Sequence, residues 1–62
     1  MADRTVRRLP VEGKMYRLAH LGHIQGFAIQ VAEGKGYQTI EQLGHMTERE
    51  AREFFKNFTG EE

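Results

Sequence analysis

The sequence contains no cysteine and no serine, a single proline at Pro10, and no long uninterrupted apolar run. Each absence removes a class of protein. Without thiols there is neither a disulfide framework nor a thiolate zinc site. Without serine or cysteine, the common nucleophiles reduce to Thr and Lys, and no motif places a base beside either, so the expectation is a protein that is not an enzyme and uses no cofactor. A membrane span needs roughly 18 apolar residues. The opening MADRTVRR also lacks the apolar stretch that follows the charges of a secretory signal. The chain therefore reads as soluble, untargeted and cytoplasmic, with no membrane partner. A lone proline and the lack of any long polar tract, with 39% hydrophobic residues, predict an ordered domain. At 62 residues its core must be small, since a chain of this size buries only about 60% of the surface it exposes when unfolded.

Net charge is also absent, because nine basic groups balance nine acidic ones. The balance conceals a division. Arg4, Arg7, Arg8, Lys14 and Arg17 face only Asp3 and Glu12 in the first 17 residues, whereas residues 18 to 62 carry four basic groups against seven acidic ones. Residues 1 to 10 read as a basic N-terminal arm and residues 11 to 60 as a single domain. Such an arm can track phosphates by releasing counterions.

The clearest local signal lies near the C-terminal end. In MTEREAREFFKNFTG, Thr47 and Glu50 have the spacing of a capping box, with Met46 and Ala51 placed as a hydrophobic staple. Ala51, Phe54, Phe55 and Phe58 follow at i, i+3, i+4 and i+7, and Gly60 is a stop, which predicts a helix over about 47 to 58. Thr39 and Gln42 form a weaker capping box that would open a short helix in TIEQLGH. IQGFAIQVAEGKG reads two ways. Ile24, Phe27, Ala28, Val31 and Ala32 make a helical stripe, while Phe27, Ile29 and Val31 alternate as in a strand. The longer stripe favours helix; the alternative is a small sheet formed with TVRRLPV and KMYRLAH, turning at Glu12-Gly13-Lys14.

Two phrases recur. Glu12-Gly13-Lys14 and Tyr16 match Glu33-Gly34-Lys35 and Tyr37, and Leu21-Gly22-His23 matches Leu43-Gly44-His45. Units of about 12 to 32 and 33 to 55 would each be one helical hairpin, and two of them could bury the faces that one cannot. The expected fold is thus all-α: a four-helix domain of two helical-hairpin repeats with an extended basic arm. The alternative is α+β, an N-terminal β-hairpin or small sheet followed by two C-terminal helices.

The segment GYQTIEQLGHMTEREAREFF resembles the phrase that links motifs in helix-hairpin-helix domains. That resemblance implies a compact all-helical domain whose hairpins bind the sugar-phosphate backbone of DNA without sequence preference. The chain departs from the family at the hairpins, where His23-Ile24-Gln25 and His45-Met46-Thr47 replace a Gly-hydrophobic-Gly triplet, and Glu48 and Glu50 would repel phosphate at the second helix start.

Other candidates are weaker. His20, His23 and His45 could share a metal only without thiolate help, so no metal site is expected. EGKGY lacks the long glycine loop and following hydroxyl of a phosphate-binding Walker motif. The principal expectation is a non-catalytic nucleic-acid-binding domain, contacting a DNA or RNA backbone through Arg4, Arg7, Arg8, Lys14, Arg17 and Lys35. The alternative is a protein-interaction module or regulatory subunit, binding a larger protein or a second copy through Phe54, Phe55 and Phe58 on the aromatic C-terminal helix.

Overall fold

Glu12 and Gly13 have φ of 51° and 84°, the left-handed pair that a two-residue mirror-type turn demands and that matches the twist of the strands it joins. In the computed structural model, which describes residues 4–60, this turn joins β1 (Arg4–Val11) to β2 (Lys14–His20). After a loop, β3 (Phe27–Glu33) turns through Gly34 and Lys35 into β4 (Gly36–Gly44), and α1 (Glu48–Thr59) closes the described chain. The strands form one antiparallel sheet in the order β1-β2-β3-β4.

The all-α expectation is therefore wrong. Residues 4 to 10, read as part of an arm, form with Val11 an edge strand paired with β2 from Arg4↔His20 to Val11↔Lys14. IQGFAIQVAEGKG is strand and turn, not helix: Phe27 and Ile29 bury their side chains, whereas Ile24, the first member of the helical stripe, sits in the loop 82% exposed. TIEQLGH is β4 and its tail, so the Thr39 and Gln42 cap signal goes unused. Short cap patterns are weak where the residues that would open the helix, here Thr39 and Ile40, are β-branched and a neighbouring strand supplies hydrogen-bond partners. With a single described helix, the helix-hairpin-helix reading of this segment fails too. The α+β alternative anticipated the sheet but expected one helix too many.

The internal repeat also fails as a structural unit. In the first turn the loop residues are Glu12 and Gly13, closed by Val11↔Lys14; in the second they are Gly34 and Lys35, closed by Glu33↔Gly36. The shared phrase is thus out of phase by one residue, and in a strand one residue changes the face. Tyr16 lies on the helix side against Phe58, with ring centroids 6.0 Å apart, whereas Tyr37 lies on the opposite face beneath Arg17. Leu21-Gly22-His23 belongs to a loop and Leu43-Gly44-His45 to the end of β4. They meet where the His45 Nε2–H donates to the His23 carbonyl.

Leu18, Phe27, Ile29, Ala51 and Phe55 form the core, with Val6, Leu9, Tyr16, Leu43 and Met46 packed around it. Full burial of Phe55, Leu18 and Ile29 stabilises the fold by about 1.5–3 kcal/mol each. The helix is the element read most accurately from sequence. Thr47 Oγ1 accepts from the Glu50 amide at 3.1 Å, the Glu50 carboxylate accepts from the Thr47 amide at 3.2 Å, and Gly60 ends the helix in the left-handed region. Gly26 is a steric necessity. A Cβ there would stand 2.2 Å from the Gly44 carbonyl oxygen, so the loop before β3 can pass the end of β4 only without a side chain.

Candidate interaction surfaces

The helix leaves part of its own side of the sheet bare. It contacts β1 and β2, and the flank carrying Glu48 and Arg52 turns toward the β1 edge, where Arg4 meets Glu48 at 3.6 Å. At 100° per residue, Phe54 falls on the other flank, away from β1, whereas Phe58 packs toward β2 and β1, against Tyr16 and near Val11. Phe54 is 41% exposed, and so is Ile40 of β4. A register shift in β4 places Ile40 beside Glu41, opposite Ile29, and so on the helix side. Phe54 on the helix and Ile40 on the strand thus face the groove left between α1 and β4. Glu50 borders it on the helix and Glu41 on the strand, while Arg49, Arg52 and Lys56 lie around the helix on the outer and β1-facing sides. Phe55, expected to share in partner binding, is fully buried in the core.

The opposite face of the sheet is polar. Because side chains alternate, Thr5, Arg8 and Pro10 of β1 share this face with Met15, Arg17 and Ala19 of β2, Ala28, Gln30 and Ala32 of β3, and Tyr37, Thr39 and Gln42 of β4. A belt of hydrogen bonds crosses all four strands. Arg17 Nε donates to Gln30 Oε1 at 2.7 Å, Arg17 Nη1 donates to Thr5 Oγ1 at 2.8 Å, and Gln30 Nε2 donates to Thr39 Oγ1 at 2.9 Å. The Arg17 guanidinium reaches past the small side chains of β3 to stack 3.9 Å above the Tyr37 ring. Gln30, only 6% exposed, has both ends of its amide occupied. Sequence reasoning missed this belt, because its members are 9 to 13 residues apart and meet only through strand register.

The six basic residues expected to line a nucleic-acid surface are thus dispersed. Arg4 is on the helix side and paired with Glu48; Arg7 lies opposite Leu18, also toward the helix. Arg8 and Arg17 share the open face as direct cross-strand partners. Lys14 and Lys35 stand at the two hairpin turns, which lie at one end of the sheet, each with a glutamate two residues earlier. The hydrogen bond to Glu48 from Arg52, with the charges of Arg52 and Arg4, holds its carboxyl below the ordinary value.

A shallow depression at the opposite end is lined by His20, Phe27, His45, Met46 and Glu50. The His20 ring packs edge-on against Phe27 at 4.8 Å. No cluster of three or more His, Cys, Asp or Glu positioned for a metal occurs among the described residues, and no described helix is long and apolar enough to cross a membrane. No protein-family model, curated protein or solved structure matches this chain.

Proposed function

We propose that this protein is a non-catalytic protein-interaction module that docks a positively charged amphipathic segment of a larger protein in the groove between α1 and β4. The observation that carries this reading is the exposure of two large apolar side chains, Phe54 on the flank of the helix away from β1 and Ile40 on the helix side of β4. Exposed large apolar side chains gain from being covered, and a few aromatic anchors supply most of the affinity in such contacts. The rim selects the partner. Glu41 and Glu50 border the groove without a cation beside them on either element's facing side, so a segment with lysine or arginine flanking its apolar residues is complementary. A second copy fits less well, since twofold docking would bring the same carboxylates together.

A pair of synthetic peptides tests the reading: leucine-rich amphipathic segments identical except that one carries lysine and the other glutamate on its polar face. Backbone amide shifts in labelled protein should move at Ile40, Glu41, Glu50 and Phe54 with the lysine peptide and weaken as salt rises. Equal binding of both peptides, or shifts confined to the opposite face of the sheet, would refute it.

A further inference from the structure

Arg8 and Arg17 are direct partners across β1 and β2, on the face away from the helix. Like charges placed opposite each other in a sheet repel. Nothing on this face relieves them: no open-face strand position among the described residues is acidic, because Glu12 is in a turn, Glu33 and Glu41 alternate toward the helix side, and the other described carboxylates are on α1. Arg17 is held by two neutral oxygens and a ring, which orient the guanidinium without neutralising it. Neither arginine has an ion pair among the described residues. Among the described residues the sheet therefore keeps two adjacent cations without a carboxylate, one pinned and one exposed, a pair that favours an anion between them.

Its neighbours indicate which anion. Tyr37 and Met15 are 37% and 38% exposed on the same face, and Thr39 and Gln42 add neutral hydrogen-bonding groups. An aromatic ring stacked with a guanidinium, beside cations and amides, is a platform for bases as well as phosphates. Four strands make a face about 15 Å across, wider than the roughly 12 Å major groove that admits a helix or a two-stranded ribbon. The face is therefore too wide to enter a duplex major groove, which favours a single strand. We propose that the open face of the sheet binds single-stranded nucleic acid, with Arg8 and Arg17 clamping the phosphodiester backbone, the Arg17 guanidinium held flat by the Tyr37 ring behind it and Thr39 and Gln42 meeting the bases. This site lies on the other side of the sheet from the α1–β4 groove and does not depend on it.

The test uses the full chain and a fluorescent oligothymidylate of about 12 nucleotides. Two phosphate contacts predict a log–log salt slope near −1.4, so affinity should fall about sevenfold between about 50 and 200 mM salt. Arg8→Glu separates binding from folding, because a carboxylate opposite Arg17 removes the repulsion. It should lower affinity at least tenfold while raising the melting temperature, Arg8→Lys should retain most binding, and Arg49→Glu on the helix should change neither affinity nor slope. The proposal is overturned by any of three results: no binding at low salt, binding that survives Arg8→Glu, or tighter binding to a duplex of the same length or to vesicles of anionic lipid. A lower melting temperature for Arg8→Glu would overturn its electrostatic premise.

Discussion

Phe54 and Phe55 are adjacent in sequence and opposite in role, which makes their substitution by alanine a sensitive measure of the fold. Phe55 is fully buried in the core, whereas Phe54 is 41% exposed on the flank over the α1–β4 groove. Removing a core phenylalanine costs about 3–5 kcal/mol, since the surroundings collapse only partly into the cavity. The 62-residue chain has a total stability of roughly 3–9 kcal/mol at typical values per residue. Phe55→Ala should therefore consume most of the stability, leaving a protein partly unfolded in buffer or with a sharply lowered urea midpoint. Phe54→Ala loses only partial burial and should cost about 1 kcal/mol. Urea titrations followed by far-ultraviolet circular dichroism provide the comparison, with equal m-values required for the two midpoints to be read as stabilities. If the two variants lose similar stability, the helix is rotated from the position described and the groove does not exist. If Phe55→Ala is the milder of the two, the assignment of core and surface is inverted.

Gly26→Ala should destabilise by about 3 kcal/mol, toward the upper end of single substitutions, because its Cβ would meet the Gly44 carbonyl at 2.2 Å and its φ is +77°; thermal melts check this. Gly13→Ala has the same kind of backbone but open space around it, so its cost should be nearer about 1–2 kcal/mol. Thr47→Ala removes the acceptor for the Glu50 amide and should cost about 1 kcal/mol, with extra amide exchange confined to the first turn of α1. Glu48 titrates lower in the folded protein than its ordinary value of 4.5, so it favours the fold above its unfolded pKa and loses that contribution as pH falls through the folded value. Glu48→Gln should flatten this acid limb slightly, by an amount reduced by solvent screening of the exposed pair, and a pH series of melts on both proteins would reveal it.

How much was legible in the sequence varied with the range of the interactions involved. The C-terminal helix was readable because its determinants are local: Thr47 and Glu50 three apart, apolar residues on one face, and Gly60 after the last turn. The hairpin at Glu12 and Gly13 was visible only as an alternative, because a helical stripe through Ile24 outnumbered the alternation of Phe27, Ile29 and Val31. That stripe was an accident of composition: Ile24 is in a loop, and Ala28 faces away from Phe27 and Ile29. The repeated phrases misled for a related reason, since identical residues displaced by one position in a strand point to opposite sides, as Tyr16 and Tyr37 do.

From the residues alone follow the ordered small domain, the capped terminal helix and the apolar face that it presents, all of which rest on spacings of three or four residues and on composition. Tertiary structure decided which phenylalanine is core, that β4 is a strand, and that Thr5, Arg17, Gln30 and Thr39 form one belt. It also set Arg8 against Arg17. Those relations depend on register, bulges and the lateral order of strands, which are fixed by the sum of many weak long-range contacts rather than by any short stretch of chain.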